Sequence, residues 1–266
     1  MAKTALVLSA GGMFGAYQAG AWKVLADRFE PDLVVGASIG AINGWTIAGR
    51  CNPDDLIESW LHLDELSRYR FRVPGKLTGG IVDSHAVETL VRNTHALYEP
   101  QIKCGHSPQI DYGLVITDSF RLRPRIVRGP GVTWQHLAAS AAIPVVFNQH
   151  RIEGRIYSDG GLLNAVPLWA AAEMGAERII AVNALPVSPN ALISRFIKIL
   201  RAVTPTQPKM AQSIEVIQIA PSGSLGSAKD SLYWKRENAL RWIEQGRMDA
   251  AGVCEHTTFT GREVRV

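Results

Sequence analysis

Two short apolar runs near the start of the chain, "TALVLSA" (4–10) and "PDLVVGAS" (31–38), each stop on small residues and leave between them room for one helix, from Tyr17 to Phe29. A strand, helix, strand opening implies parallel neighbours, because a parallel pair needs a crossover connection rather than a tight turn. The alternation returns later. "YGLVITD" (112–118) reads as a strand and "VTWQHLAASAAI" as a helix, and "LWAAAEMGAERIIAVNA" reads as a helix closed near Gly175 followed by a buried strand. The expected class is therefore α/β, with a mainly parallel sheet covered by helices on both faces. At 266 residues the chain suits one core, so a single domain over 1–266 is expected.

The composition narrows the class without naming a chemistry. Hydrophobic residues make up 47% and charged residues 20%, the balance of a globular enzyme. A net charge of +4 favours loose attraction to anionic surfaces and does not call for a nucleic-acid partner. Cys51, Cys104 and Cys254 are odd in number and far apart, so they read as reduced packing residues. The seven histidines are scattered without ligand spacing, and neither a metal nor a cofactor is expected. Glycines interrupt the N-terminal apolar run where a signal peptide would continue, and no run approaches the roughly eighteen apolar residues of a membrane-spanning helix. The expected location is cytoplasmic.

Chemistry enters at "GASIG" (36–40), where Ser38 sits between Gly36 and Gly40 at the end of the second strand. This is the G-x-S-x-G pattern of a nucleophile elbow. The strand-to-helix turn is so tight that flanking side chains would collide, whereas glycine leaves room and lifts the serine oxygen clear of the sheet. The helix that follows, "AINGWTIAG", aims its N-terminal amides at the same place. Small residues are also common in packed strand-to-helix turns, so the pentapeptide alone does not decide the matter.

A serine hydroxyl needs a base. Only His256 lies late enough to close a Ser, Asp, His order, and Ser38 comes after too few strands for an α/β-hydrolase. The alternative is "YSDGGLLNAVPL" (157–168), where Asp159 precedes Gly160 and Gly161 in a turn that could hold its carboxylate at a site edge, although D-G-G is by itself an ordinary turn. The third stretch is the glycine-rich turn "SAGGMFG" (9–15). Such a loop points several amides at one spot, which suits a phosphate or an oxyanion. A dinucleotide fold would want another glycine at Ala10 and an acid at the end of the second strand, which ends instead in Gly36, Ala37 and Ser38. An oxyanion fits better.

Taken together, the glycine-rich loop, G-x-S-x-G and the distant D-G-G resemble the patatin-like phospholipase family in order and nearly in spacing. "VITD", "AASAAIPVVF" and "DGGLLNAVPLWAAAEMGAERIIAV" look like family segments too, so the similarity covers most of the chain. The resemblance implies a three-layer αβα sandwich, Ser38 as nucleophile, Asp159 as base, and oxyanion amides from Gly11, Gly12 and Met13. It also implies a lipid or fatty-acyl ester substrate and no metal. Two positions depart from the family's pattern: Ala10 stands where a third glycine is usual, and Phe14 where a basic residue is usual. Phe14 removes a charge that could orient the loop or attract a phosphate headgroup. Because a carboxylate ionising near pH ~4 is a weak base, a Ser-Asp dyad calls for a dry site that raises Asp159. The alternatives are a non-catalytic lipid-binding or scaffold protein of the same fold, and an acyltransferase using the same acyl-enzyme.

Three further signals stay in reserve. "NALISRFIKILRAV" (190–203) segregates apolar and basic residues, as a surface helix does and as a membrane-contact segment or lid over 190–210 also would. It precedes the Pro-rich "TPTQPK" (204–209), read as a loop or hinge. In "RLRPRIVRG" (121–129), Arg121, Arg123 and Arg125 share one face if extended, the pattern of a charge-guarded sheet edge or of a headgroup patch. The seven tryptophans show no period and read as packing residues. Peripheral membrane contact is thus an open partner, and the sequence implies no oligomeric state.

Overall fold

The structure is a computed structural model that describes residues 2–67, 78–104, 109–185 and 214–257. The segments 190–203 and 204–209 lie outside the described residues. The chain opens as expected, with β1 (Thr4–Leu8), α1 (Gly15–Leu25), β2 (Leu33–Ala37) and α2 (Ile39–Ala48). Helices α3 (Pro53–Leu61) and α4 (His85–Cys104) follow, then β3 (Asp111–Asp118), β4 (Arg123–Arg128) and α5 (Trp134–Ser140). The rest comprises β5 (His150–Ile152), β6 (Arg155–Asp159), α6 (Leu168–Glu173), β7 (Arg178–Val182), β8 (Glu215–Ile219) and α7 (Arg236–His256).

The eight strands form one sheet in which β8, β7, β1, β2 and β3 run parallel. Every residue of β1, β2 and β7 is buried, as strands covered on both faces must be. Alternate residues divide between two cores. Leu6, Leu8, Val34, Leu114 and Ile180 point into the larger one with α1, α2 and α7, whereas Ala5, Val7, Val35, Val115 and Ile179 meet α6 through Trp169, Ala170 and Ala171. That division is the αβα sandwich. Trp22, Trp45, Trp60, Trp169, Trp234 and Trp242 are buried, and Cys51 and Cys254 are free thiols. Among the described residues no helix is long and apolar enough to cross a membrane.

One edge of β3 has an unusual arrangement that places the site. Its far side pairs with β4 from Gly113 to Asp118. Its near side is shared: β2 occupies it up to the pair Ala37 and Val115, and the antiparallel β6 takes over at Ile116 and Asp159. Strands β2 and β6 therefore approach head-on along the same edge of β3. The residue following Ala37 is Ser38, and the residue ending β6 is Asp159.

Candidate active site

Ser38 occupies the turn between β2 and α2 with φ 56° and ψ −128°, a conformation that L side chains rarely adopt. Strain of this kind costs of order 1–3 kcal/mol and persists only where surrounding packing enforces it. The packing here is backbone against backbone. A β-carbon on Gly36 would overlap the carbonyl of Gly40, and one on Gly40 would overlap the carbonyls of Leu8 and Ser9. Both positions admit only glycine, and Gly40 thereby lays the start of α2 directly on the end of β1.

Asp159 is 5% exposed, as is Ser38. Its main chain is held from two sides, with its N–H donating to Ala142 O (3.0 Å) and Thr117 Oγ1 donating to its carbonyl (2.9 Å). The D-G-G turn then folds back so that Gly161 N–H donates to Asp159 Oδ1 at 2.7 Å. Burial raises the carboxyl from its ordinary value of 3.8 to about 6, outweighing the Ser38 hydroxyl and the amides of Gly161 and Leu162, which favour the charged form. Removal from water thus dominates the environment of this carboxyl. Three of the histidines are engaged or placed elsewhere: His256 ends α7 exposed, His95 stacks on Trp45, and His136 closes the capping box of α5.

The glycine-rich loop packs on the turns that follow both groups, Ser9 against Gly40 and Ala10 against Gly161. Ala10 donates its N–H to Ala165 O (2.8 Å), and a β-carbon on Gly161 would overlap that of Ala10. Ala10 stays out of the left-handed region, so replacing glycine there introduces no strain. The N–H groups of Gly11 and Gly12 have no acceptor among the described residues. Met13 differs: its N–H donates to Ser231 O at 2.9 Å, so that amide is committed to the chain. Gly12, at φ +57°, has no room for a β-carbon because the same Ser231 carbonyl lies against it. Phe14, expected as a lost charge at the loop, is fully buried and meets Trp242 edge to face at 4.9 Å. An apolar side chain at that position turns inward and anchors the loop to α7.

Several positioning groups carried no sequence signal. Ser140 Oγ accepts from Ser38 N–H (2.9 Å) and donates to Val115 O (2.7 Å), while the Ser140 carbonyl accepts from Gly160 N–H (3.0 Å). One buried serine thus holds both strand ends. Beneath the loop, Gln18 Nε2 donates to Ser9 O (2.7 Å), Asn43 Nδ2 donates to Gly15 O and Gln18 Oε1 (both 3.0 Å), and Trp60 Nε1 donates to Asn43 Oδ1 (3.1 Å). These fully partnered side chains tie β1, α1 and α2 together, and a buried network of this kind rigidifies what it joins. Ser140 lies in "AASAAIP", where a serine among alanines at a helix end is the only hint available.

The sequence model of the patatin-like phospholipase family matches residues 6–172, which contain all three stretches. Uncharacterized NTE family proteins of Mycobacterium bovis and Mycobacterium tuberculosis are 29% identical over 189 residues, 68% of this chain and 49% of theirs. The chain therefore spans about half the length of the curated relatives it matches. VipD from Legionella pneumophila shares the fold, with a TM-score of 0.52 at 13% identity over 96% of this chain and 67% of its own. With more than half of its length matched by one family, and with Ser38, Asp159 and the glycine loop inside that match, the chain belongs to the patatin-like phospholipase family.

Proposed function

We propose that this protein is a serine acyl hydrolase that cleaves lipid acyl esters through a Ser38–Asp159 dyad and a covalent acyl-enzyme. Asp159 takes the proton of the Ser38 hydroxyl as Oγ attacks the ester carbonyl. The tetrahedral oxyanion is received by the N–H groups of Gly11 and Gly12, with the Met13 amide holding the loop through Ser231. Collapse expels the alcohol, which takes the proton from Asp159. Asp159 then accepts a proton from water, which attacks the acyl-enzyme, and the proton returns to Ser38 as the fatty acid leaves.

The observation that carries this reading is the head-on approach of β2 and β6 on one edge of β3, which sets a strained serine beside a buried carboxyl that ionises near pH 6. An enzyme working by acid–base transfer gains most when its base ionises near the working pH. The test is hydrolysis of a soluble chromogenic short-chain ester by the purified protein, beside Ser38→Ala and Asp159→Asn. Both substitutions should lower turnover at least about thousandfold with the fold intact. Turnover that survives either substitution rules the dyad out.

A further inference from the structure

Six large apolar side chains are exposed among the described residues, and they fall into two groups. Leu97, Leu240 and Met248 lie singly on helices α4 and α7, which is ordinary for a protein surface. Phe120, Val145 and Ile81 do not lie on helices. Phe120, 78% exposed, is at the tip of the β3–β4 hairpin. Val145, 70% exposed at φ +70°, accepts from Ile81 N–H at 2.9 Å, in the loop that also carries Ala142, the acceptor for Asp159 N–H.

The strand registers set the direction of the Phe120 tip. From the level of Ser38 and Asp159, β3 continues to Asp118 and turns into β4, while β6 starts at Arg155 beyond Tyr157, the partner of Asp118. The β5–β6 turn, Glu153 and Gly154, therefore projects at the same end of the sheet as the β3–β4 turn, and Ser119 N–H donates to Ile156 O (3.0 Å) to bind the two hairpins side by side. Asp118 stiffens the first tip by accepting from the N–H groups of Phe120 and Arg121 at 3.1 and 3.0 Å. Behind Phe120 stand five exposed arginines, Arg121, Arg123, Arg125, Arg151 and Arg155, against two acids, Asp118 and Glu153, a local excess of three positive charges (5 − 2 = 3). The guanidinium groups of Arg121 and Arg123 have no partner among the described residues.

We propose that these paired hairpin tips dock the protein on an anionic lipid bilayer, with Phe120 entering the headgroup boundary and Arg121 and Arg123 resting on lipid phosphates. An apolar apex backed by guanidinium groups is complementary to the interface on both counts, since the ring gains by leaving water and each charge by nearing an anionic surface. The tips lie at the end of the sheet at which β2 ends in Ser38, so docking there brings that end of the sheet to the bilayer. This purpose rests on the reading of the chain as a lipid acyl hydrolase, whereas the docking itself requires no turnover. Arginines spread along a nucleic-acid groove would be joined by a series of stacking rings rather than by one apex ring.

The test is cosedimentation of the full chain with phosphatidylcholine vesicles with and without phosphatidylserine, alongside hydrolysis of a soluble ester. The wild-type protein should favour the vesicles containing phosphatidylserine, and added salt should weaken that preference. Phe120→Ser should lower partitioning about tenfold or more. The double substitution Arg121→Gln and Arg123→Gln should lower it about fivefold for each charge. Leu97→Ser should partition as wild type, and all of these variants should hydrolyse the soluble ester at the wild-type rate. Failure of the wild-type protein to partition, or tip variants that partition like wild type, overturns the proposal; so does binding to an RNA oligonucleotide in preference to vesicles. Because partitioning is read without turnover and soluble-ester hydrolysis without a membrane, failure of the docking surface and failure of the dyad are told apart.

Discussion

Of the places where main chains touch without side chains between them, two serve different ends. Behind Ser38, Gly36 and Gly40 let the β2–α2 turn close on itself and on β1. Where α1 crosses α7, a β-carbon on Gly20 would overlap the Ile243 carbonyl and one on Gly246 the Tyr17 carbonyl, so the helices also meet backbone to backbone. Around the helix crossing the contacts are those of a core, with Phe14 edge-on to Trp242 and the Tyr17 hydroxyl donating to Asp249 Oδ2 at 2.8 Å. Burial and Asp249 together hold that phenol protonated. Around the turn, by contrast, the close approach ends in a residue with φ 56° and a hydroxyl beside a carboxyl. Glycine in close contact thus marks proximity alone; the strained, polar residue beside Gly36 and Gly40 is what the proposed dyad would use.

Four substitutions can break or sharpen that contrast. The largest effect is expected for Ser38→Gly, which should lower kcat/KM for a soluble ester about 10,000-fold or more while raising stability by about 1 kcal/mol, because glycine accepts the left-handed conformation. A denaturant titration showing no stabilisation would mean that the turn holds no strain. Next is Asp159→Asn. A carboxyl that ionises near pH 6 when folded, and near its ordinary 3.8 when unfolded, favours the folded state while protonated. Its stabilising contribution is full below the lower value and lost as pH rises through the upper one, leaving the charged form a penalty of about 3 kcal/mol. The asparagine variant should therefore be more stable than wild type by up to that amount at pH ~8, with the gain vanishing below pH ~4, as thermal melts across pH would read. In the wild-type protein the proposed role of the same group should make kcat/KM fall as pH drops below about 6.

Gly246→Ala addresses the other contact. It should destabilise by about 2–3 kcal/mol through overpacking, with kcat/KM per folded molecule unchanged. A matching loss of turnover would show that the crossing also sets the glycine loop. The smallest effect is expected for Ser140→Ala, which leaves Ser38 N–H without its acceptor and should reduce kcat about tenfold, with little change in KM.

Where the chemistry leaves a local trace, the sequence discloses it. Ser38 is conspicuous because Gly36 and Gly40 flank it in five consecutive residues, and β1, β2, β3 and β7 are conspicuous because each contains a short apolar run, whereas β8, with Glu215 and Gln218 among its five residues, offers none. Of the alternate arginines of 121–125, Arg123 and Arg125 lie in the extended, charged strand β4, whereas Arg121 lies in the turn before it. Ser140 escapes notice because its partner Ser38 is 102 residues away and no local pattern distinguishes it from other serines. Ser231 escapes for the same reason, acting through its carbonyl rather than its side chain. Phe14 shows the limit from the other side: by comparison with the family it is a missing charge, yet in the fold it is a core residue.

By itself, then, the order of residues determined the layering, the elbow serine and the candidate carboxylate, since periodicity and glycine spacing act over a few neighbours. Only the tertiary structure decided that β2 and β6 share one edge of β3, that burial lifts Asp159, and that Met13 spends its amide on Ser231. Those outcomes depend on which distant segments exclude water from one another and which donors and acceptors they leave to be paired. No stretch of chain carries that information until the sheet has closed.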